Sequence, residues 1–303
     1  MTPAPARSWR RRGRRVLLAL WAAWAACTAC AHTSSTGGPG ARAAKRLGLE
    51  PDSVTSALWR MDDVVGVTVV DAGPFRLDGT AGVDTRSAFG RLGRARQFTS
   101  SVNSFVFVPY NPELEAADHF TIEAWINPSE FGDYEDTPIA ARWSPDGITS
   151  SWLFSIVGGN RFNPVTPGPG NHTNLLGTTS GAGKVMFAFQ PEEAGAPRAY
   201  FSTRPVELGR WTHVAVSYDG EVVRIYLNDQ LDAQYASPGR VRASDAPLLI
   251  GNSLDPRWLT TFSGDLRVGP NADQAPYYAF VGLIDELRIS NRARTDFPYA
   301  RGE

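Results

Sequence analysis

Cysteine is almost missing from this chain: of its 303 residues only Cys27 and Cys30 carry a thiol. Both stand near the beginning, so whatever folds downstream does so on burial and hydrogen bonding, without disulfides. Histidine is nearly as scarce. His32, His119, His172 and His213 make no H-x-H or H-x-x-x-H spacing, which removes the usual zinc signature. A G-x-S-x-G nucleophile motif is missing as well. So is an apolar run long enough for a bilayer, because residues 16–26, VLLALWAAWAA, are too few to span one comfortably. Nor is there an excess of charge, with 30 basic and 31 acidic residues for a net −1. Six of the basic residues, Arg7, Arg10, Arg11, Arg12, Arg14 and Arg15, crowd the beginning; setting them aside leaves 24 against 31, or −7. A mildly acidic remainder has no electrostatic reason to bind nucleic acid or an anionic membrane.

What is there begins with a leader. The arginines of residues 1–15 followed by the apolar 16–26 read as an export signal. Ala26-Cys27 and Ala29-Cys30 each set a cysteine behind a small residue, an arrangement that resembles a bacterial lipoprotein cleavage box, so Cys27 and Cys30 are the candidate lipidation sites. Ordinary cleavage after Ala31 is the alternative. The expected organisation is a signal peptide over 1–31, a tether over 32–54, one domain over 55–296 and a tail over 297–303. The product would be an exported protein, anchored to the cell envelope by an N-terminal lipid or secreted.

The remaining pattern is β. In residues 209–233 Trp211 to Tyr218 and Val222 to Leu227 form a hairpin, with Asp219-Gly220 expected as a type I′ turn and Asn228-Asp229 turning the chain again. Val223, Ile225 and Leu227 share one face and Arg224 and Tyr226 the other. Phe120, Ile122, Ala124 and Ile126 alternate with Thr121, Glu123 and Trp125, both faces partly apolar, as in a central strand. Further strands are expected near Ala57, over Val64 to Val70, and near Phe98, Val106, Phe154, Phe187, Leu249 and Ile284. Two stretches rich in Gly, Pro, Asn and Thr, 158–183 and 253–279, read as long loops of the kind kept for function.

The motif W-x-H-V-A-V-x-Y-D-G at Trp211, followed by V-x-I-Y-L-N at Val223, resembles the central hairpin of laminin-G-like domains. HFTIEAWINP at His119 and FVGLIDELRIS at Phe280 resemble the early and closing strands of the same family. The resemblance covers roughly residues 55–296 and implies an all-β, concanavalin A-like jelly-roll sandwich of two antiparallel sheets. That fold serves many ligands. The expected function is a non-catalytic binding module for a carbohydrate or a cell-surface protein, with a glycoside hydrolase or polysaccharide lyase on the same fold as the alternative.

Candidate site residues follow. Flat rings on loops stack on sugars without needing charge, which singles out Trp143, Trp258, Tyr277 and Tyr278, with Asn160 and Arg161 as added hydrogen-bonding groups. Strand parity sets Asp285 on the face of Leu283, Leu287 and Ile289, where a carboxylate needs partners. Backbone amides could supply them. Calcium is the other expectation: the resemblance implies a structural ion where the closing strand meets the opening one, held by Asp285 with Asp62, or Asp63, as its partner. For catalysis, the E-x-D-x-x-E motif of laminarinase-type glucanases is absent, and Glu130, Asp133, Glu135 and Asp136 are spaced as a solvated loop. Glu123 and Trp125 share a strand face, as a buried ring with a hydrogen-bonded carboxylate would.

Overall fold

Alternating strands bury one face each, and here they do so in two sheets laid against one another. The computed structural model describes residues 48–132, 136–144, 150–158, 181–269 and 277–298, and strands are numbered along the chain. The first sheet runs β14 (Gln230–Ala236), β13 (Val222–Leu227), β12 (Thr212–Tyr218), β7 (Phe120–Pro128), β20 (Gly282–Ser290), β5 (Arg94–Phe98) and β4 (Arg86–Phe89), with β1 (Thr55–Trp59) also paired to β20. The second runs β11 (Arg198–Pro205), β10 (Lys184–Phe189), β9 (Ser150–Ile156), β8 (Thr137–Trp143), β15 (Leu248–Ile250), β6 (Val106–Val108), β3 (Gly79–Ala81) and β2 (Thr68–Val69). The pairings in both are antiparallel. This is the jelly-roll sandwich.

The residues that alternate inward fill the space between the sheets. Phe120, Ile122, Ala124 and Ile126 of β7 meet Trp152, Phe154 and Ile156 of β9 and Val185, Phe187 and Phe189 of β10 in one apolar cluster. Tyr218 reaches into it and donates its hydroxyl to the carbonyls of Ser237 (2.7 Å) and Gly239 (2.6 Å), so its polar tip is satisfied. Gly251, directly after β15, is fixed by close approach: a Cβ there would stand 2.2 Å from the Phe98 ring, and its φ of +74° lies in the left-handed region.

The hairpin forms as expected, but its turn does not. Tyr218 pairs with Val223, which leaves four residues in the loop, and of Asp219 and Gly220 only the glycine has a positive φ. The Asp219 carboxylate closes the loop instead, accepting from the amides of Glu221 (3.1 Å) and Val222 (2.8 Å). The two-residue turn with both φ positive is Asn228-Asp229, between β13 and β14.

Three other expectations change. Val64 to Val70 is no buried strand, since Val64, Val65 and Val67 are exposed and only the short β2 forms. The described residues of that stretch, 253–269 and 277–279, are folded into strands: β16 (Asn252–Leu254) pairs with β19 (Tyr277–Ala279), and β17 (Leu259–Phe262) with β18 (Asp265–Val268). Leu254, Val268, Phe105 and Leu249 give this insertion its own small core. The third change is at Asp285. A bulge between Asp285 and Arg288, with Glu286 at φ +50°, inserts one residue and resets the parity of β20. Ile284, Leu287 and Ile289 face the core, whereas Asp285 lies opposite Trp125 on the other side.

That outer side of the first sheet is itself closed over. Phe297 packs on the rings of His213 (5.4 Å) and Tyr226 (5.0 Å), and its amide donates to Asp229 (2.7 Å). Arg294 N donates to the Thr121 hydroxyl at 2.8 Å, and Leu49 N to Glu286 at 3.0 Å. β7 is therefore buried on both faces.

Candidate functional site

Glu123, the strand carboxylate nearest to a catalytic arrangement, lies in this sealed layer and is 0% exposed. Its Oε2 stands 2.9 Å from His213 Nε2, and its Oε1 accepts from Arg288 Nε (2.8 Å) and Nη2 (2.6 Å). Both oxygens are held. Beside it Trp125 packs edge-on against His213 at 5.5 Å, with Arg91 over its ring. The group ties β7, β12 and β20 together, and its burial keeps Glu123 from any sugar.

Asp62 and Asp285 do converge, on either side of the turn joining β4 to β5. Asp62 Oδ1 accepts from Arg94 N (2.9 Å) and Asp285 Oδ2 from Leu92 N (2.9 Å), while Asp285 Oδ1 has no hydrogen-bond partner. Burial lifts the Asp285 carboxyl to about 7; the amides of Leu92, Arg91 and Glu286 oppose this, and the charge of Asp62 adds to it. Glu286 rises to about 8, through burial first and then the charge of Asp285. A carboxyl whose folded pKa is raised stabilises the fold below its unfolded value and loses that contribution as pH climbs through the folded one. The melting temperature is expected to fall between pH 5 and pH 8, and Asp285→Asn with Glu286→Gln to flatten that slope in thermal melts. An unchanged slope would return both groups to ordinary carboxylates.

For calcium the fit is partial. The free Asp285 oxygen suits a cation, but among the described residues no group of three or more His, Cys, Asp or Glu is placed to hold one. Calcium takes six to eight oxygens, so main-chain carbonyls would have to supply most of them.

The aromatic candidates separate. Trp143 ends β8 and Tyr278 sits within β19, both 4% exposed, because each belongs to a strand rather than to a loop. Tyr277 packs on the insertion's core and donates its hydroxyl to Ser100 O (3.0 Å). Asn160, Arg161, Asp133 and Glu135 lie outside the described residues, as do Cys27 and Cys30. Trp258 alone stands out, 39% exposed at the end of a short 3-10 turn capped by Asp255.

Beside Trp258 the hairpin presents what the sequence did not reveal. Leu259 pairs with Val268 and Thr261 with Leu266 on the side of the insertion's core; Thr260, Phe262, Asp265 and Arg267 alternate onto the other side. Phe262 is 62% exposed, with the Arg267 guanidinium 5.1 Å from its ring centre. The hairpin is pinned by Val268 N donating to Asn103 Oδ1 at 2.7 Å. Asp265 borders a cleft of about 290 Å³, lined also by Gly66, Val67, Ala81, Gly82, Val83, Thr85 and Arg96. A second cleft of about 300 Å³ lies between Arg204–Arg210 and the Asn228 turn. The first is the candidate site, because the hairpin that carries the exposed Phe262 reaches it through Asp265, the residue paired with Phe262. A signal was present: R-A-R-Q-F puts Arg96 on the inward parity of Phe98, an arginine where a core residue belongs.

With this geometry in view the comparisons are clear. A family model described as the concanavalin A-like lectin/glucanases superfamily matches residues 100–296. The chain belongs to that superfamily. Solved structures share the fold at low identity. One is the binding domain of Paraclostridial Mosquitocidal Protein 1 (TM-score 0.51, 11% identity, 80% of this chain and 49% of that one). Another is the botulinum neurotoxin serotype G binding domain (0.51, 12%, 79% and 48%). A third is the botulinum neurotoxin serotype D ligand binding domain in complex with N-acetylneuraminic acid (0.50, 10%, 80% and 48%). The chain spans about half the length of these domains, and at such identities the likeness is one of fold. No curated relative matches by sequence.

Proposed function

We propose that this concanavalin A-like domain is a non-catalytic carbohydrate-binding module of an exported envelope protein, and that it meets its ligand at the insertion end of the sandwich. The observation that carries this is the pair of exposed rings, Trp258 on the 3-10 turn that leads into the β17–β18 hairpin and Phe262 within it, on an element with its own core whose Asp265 borders a cleft. Rings kept out of water by neither sheet serve recognition better than stability. The carboxylate and ring that would suit hydrolysis, Glu123 and Trp125, are sealed instead. The neighbour solved with N-acetylneuraminic acid supports a sugar over other ligands. Retention of the domain on insoluble polysaccharides, together with a reducing-sugar assay, tests the reading; passage through every matrix would end it.

Export through residues 1–31 and a lipid on Cys27 or Cys30 complete the proposal, supported by the arginine-led apolar run. Mass spectrometry of the mature N-terminus decides between an acylated cysteine and a bare His32. Calcium at Asp62 and Asp285 stays a proposal of the same standing, supported by the free Asp285 oxygen. If an ion is there, a chelator lowers the melting temperature, and Asp285→Asn removes that response.

A further inference from the structure

One apolar run in the sequence finds no place in the core. Val64 is 63% exposed, Val65 88% and Val67 37%, in a loop closed by Val70 N donating to Asp63 Oδ2 at 3.1 Å. Exposed apolar side chains gathered in one patch mark a surface that meets something other than water. The loop lies along the β4–β5 hairpin and meets it twice: Asp62 accepts from Arg94 N at 2.9 Å near the hairpin's turn, and Val67 shares a cleft wall with Thr85 at its base. Phe89 belongs to the same patch. It pairs with Arg94, which has the inward parity of Phe98, yet it lies on the edge strand β4 and is 85% exposed. The other edge of the sandwich is closed, because Arg204 of β11 is bonded to Asp232 of β14 at 2.6 Å.

The hairpin is also basic. Between Asp84 and Glu113 the chain has no acidic residue, and Arg86, Arg91 and Arg94 lie in that interval, the first two exposed. The Arg94 guanidinium stands 5.5 Å from the Phe89 ring centre. Neighbouring acids are turned onto main-chain amides: Asp62 onto Arg94 N, Asp63 onto Val70 N and Asp285 onto Leu92 N. The net negative charge of the chain beyond its leader hides this local sign. We propose that the Val64–Val65 loop and the β4–β5 hairpin form a docking surface for a bilayer that contains anionic phospholipid. The valines and Phe89 enter among the headgroups, and Arg86 and Arg91 meet the phosphates.

The place where the chain enters the domain favours a membrane over other partners. Leu49 N donates to Glu286 at 3.0 Å, and Glu50 pairs with Arg60, shortly before Val64, at 3.0 Å. The adjacent Asp285 holds the hairpin's turn through Leu92 N at 2.9 Å. Whatever precedes Gly48 therefore joins the domain beside this surface. The residues between Cys30 and Gly48 reach about 60 Å at most, so a lipid on either cysteine would keep this side of the domain near the bilayer. A second copy fits less well, since a symmetric contact through β4 sets Arg86, Arg91 and Arg94 against their own counterparts.

The test leaves the anchor out and uses the domain from Gly48 onward, since residues 46–303 form a unit of their own that contains the whole sandwich. Binding is read by sedimentation with vesicles of phosphatidylcholine alone and of phosphatidylcholine and phosphatidylglycerol in equal parts. The domain should sediment with the mixed vesicles, come off them in high salt, and bind phosphatidylcholine alone far less. Val65→Ser with Phe89→Ser should abolish sedimentation and leave the melting temperature where it is, because both side chains are exposed. Arg86→Gln with Arg91→Gln should weaken binding to the mixed vesicles about fivefold per residue, the worth of one cation near an anionic surface. Equal sedimentation with phosphatidylcholine alone, sedimentation with neither vesicle, or binding that survives Val65→Ser with Phe89→Ser overturns the proposal. So does elution of the domain as a dimer that Phe89→Ser converts to a monomer, which would give this face to a second copy.

Discussion

Arg288→Met is expected to destabilise the domain by roughly 3–5 kcal/mol, the usual cost of stripping one partner from a buried ion pair. The size follows from what stays behind. Glu123 would keep His213 at 2.9 Å but lose both bonds from Arg288, with Arg294 Nε 4.0 Å away. The variant also forfeits the long bond from Arg288 Nη1 to Glu50 O, a small term beside the loss of the paired guanidinium. Replacing both partners behaves differently: Glu123→Leu with Arg288→Met should recover much of the loss, because an apolar pair of similar volume carries no desolvation cost. Urea unfolding of the two single variants and the double measures the coupling directly. A single-variant loss below about 1 kcal/mol would mean that the network does not hold the three strands together.

The second large effect is on binding rather than on folding. Trp258→Ala together with Phe262→Ala should remove polysaccharide retention, at least about tenfold per ring if the two act as recognition hot spots. The melting temperature should barely move, because exposed substitutions usually change stability by about 0.5 kcal/mol or less. Trp125→Ala gives the contrast. That ring is buried under Arg91 and against His213, and deleting it should cost roughly 3–5 kcal/mol through the cavity left. Tyr278→Ala belongs with Trp125, since β19 buries it, and so it cannot report on binding alone. Unfolding of the Trp258 and Phe262 variant would return those rings to a structural role.

How much of this was legible depended on the range of each interaction. Period-2 alternation located β7, the β12–β13 hairpin and the closing strand, because burial of one face is decided by neighbours two residues apart. Asp285 escaped that logic: one bulged residue, Glu286 at positive φ, turned every later side chain over, and local alternation carries no mark of a bulge. Asp219-Gly220 misled for a related reason. The dipeptide suits a type I′ turn, yet pairing of Tyr218 with Val223 decides the loop length, and that register is set by packing across the sandwich. The insertion read as loop because its strands have only three or four residues and draw their core partly from Phe105, far off in sequence. Arg96 was visible by parity but not its unpartnered nitrogens, which depend on where Asp63 and Thr85 come to rest.

The central claim is that the insertion end binds sugar and does no chemistry on it. The most direct measurement is a glycan array probed with the domain from Gly48 onward, followed by a reducing-sugar assay on every glycan that binds. The account predicts retention on at least one glycan, lost in the Trp258 and Phe262 double variant, with no reducing ends released over long incubation. New reducing ends from the wild type, abolished by Glu123→Gln in a variant that still folds, would contradict it.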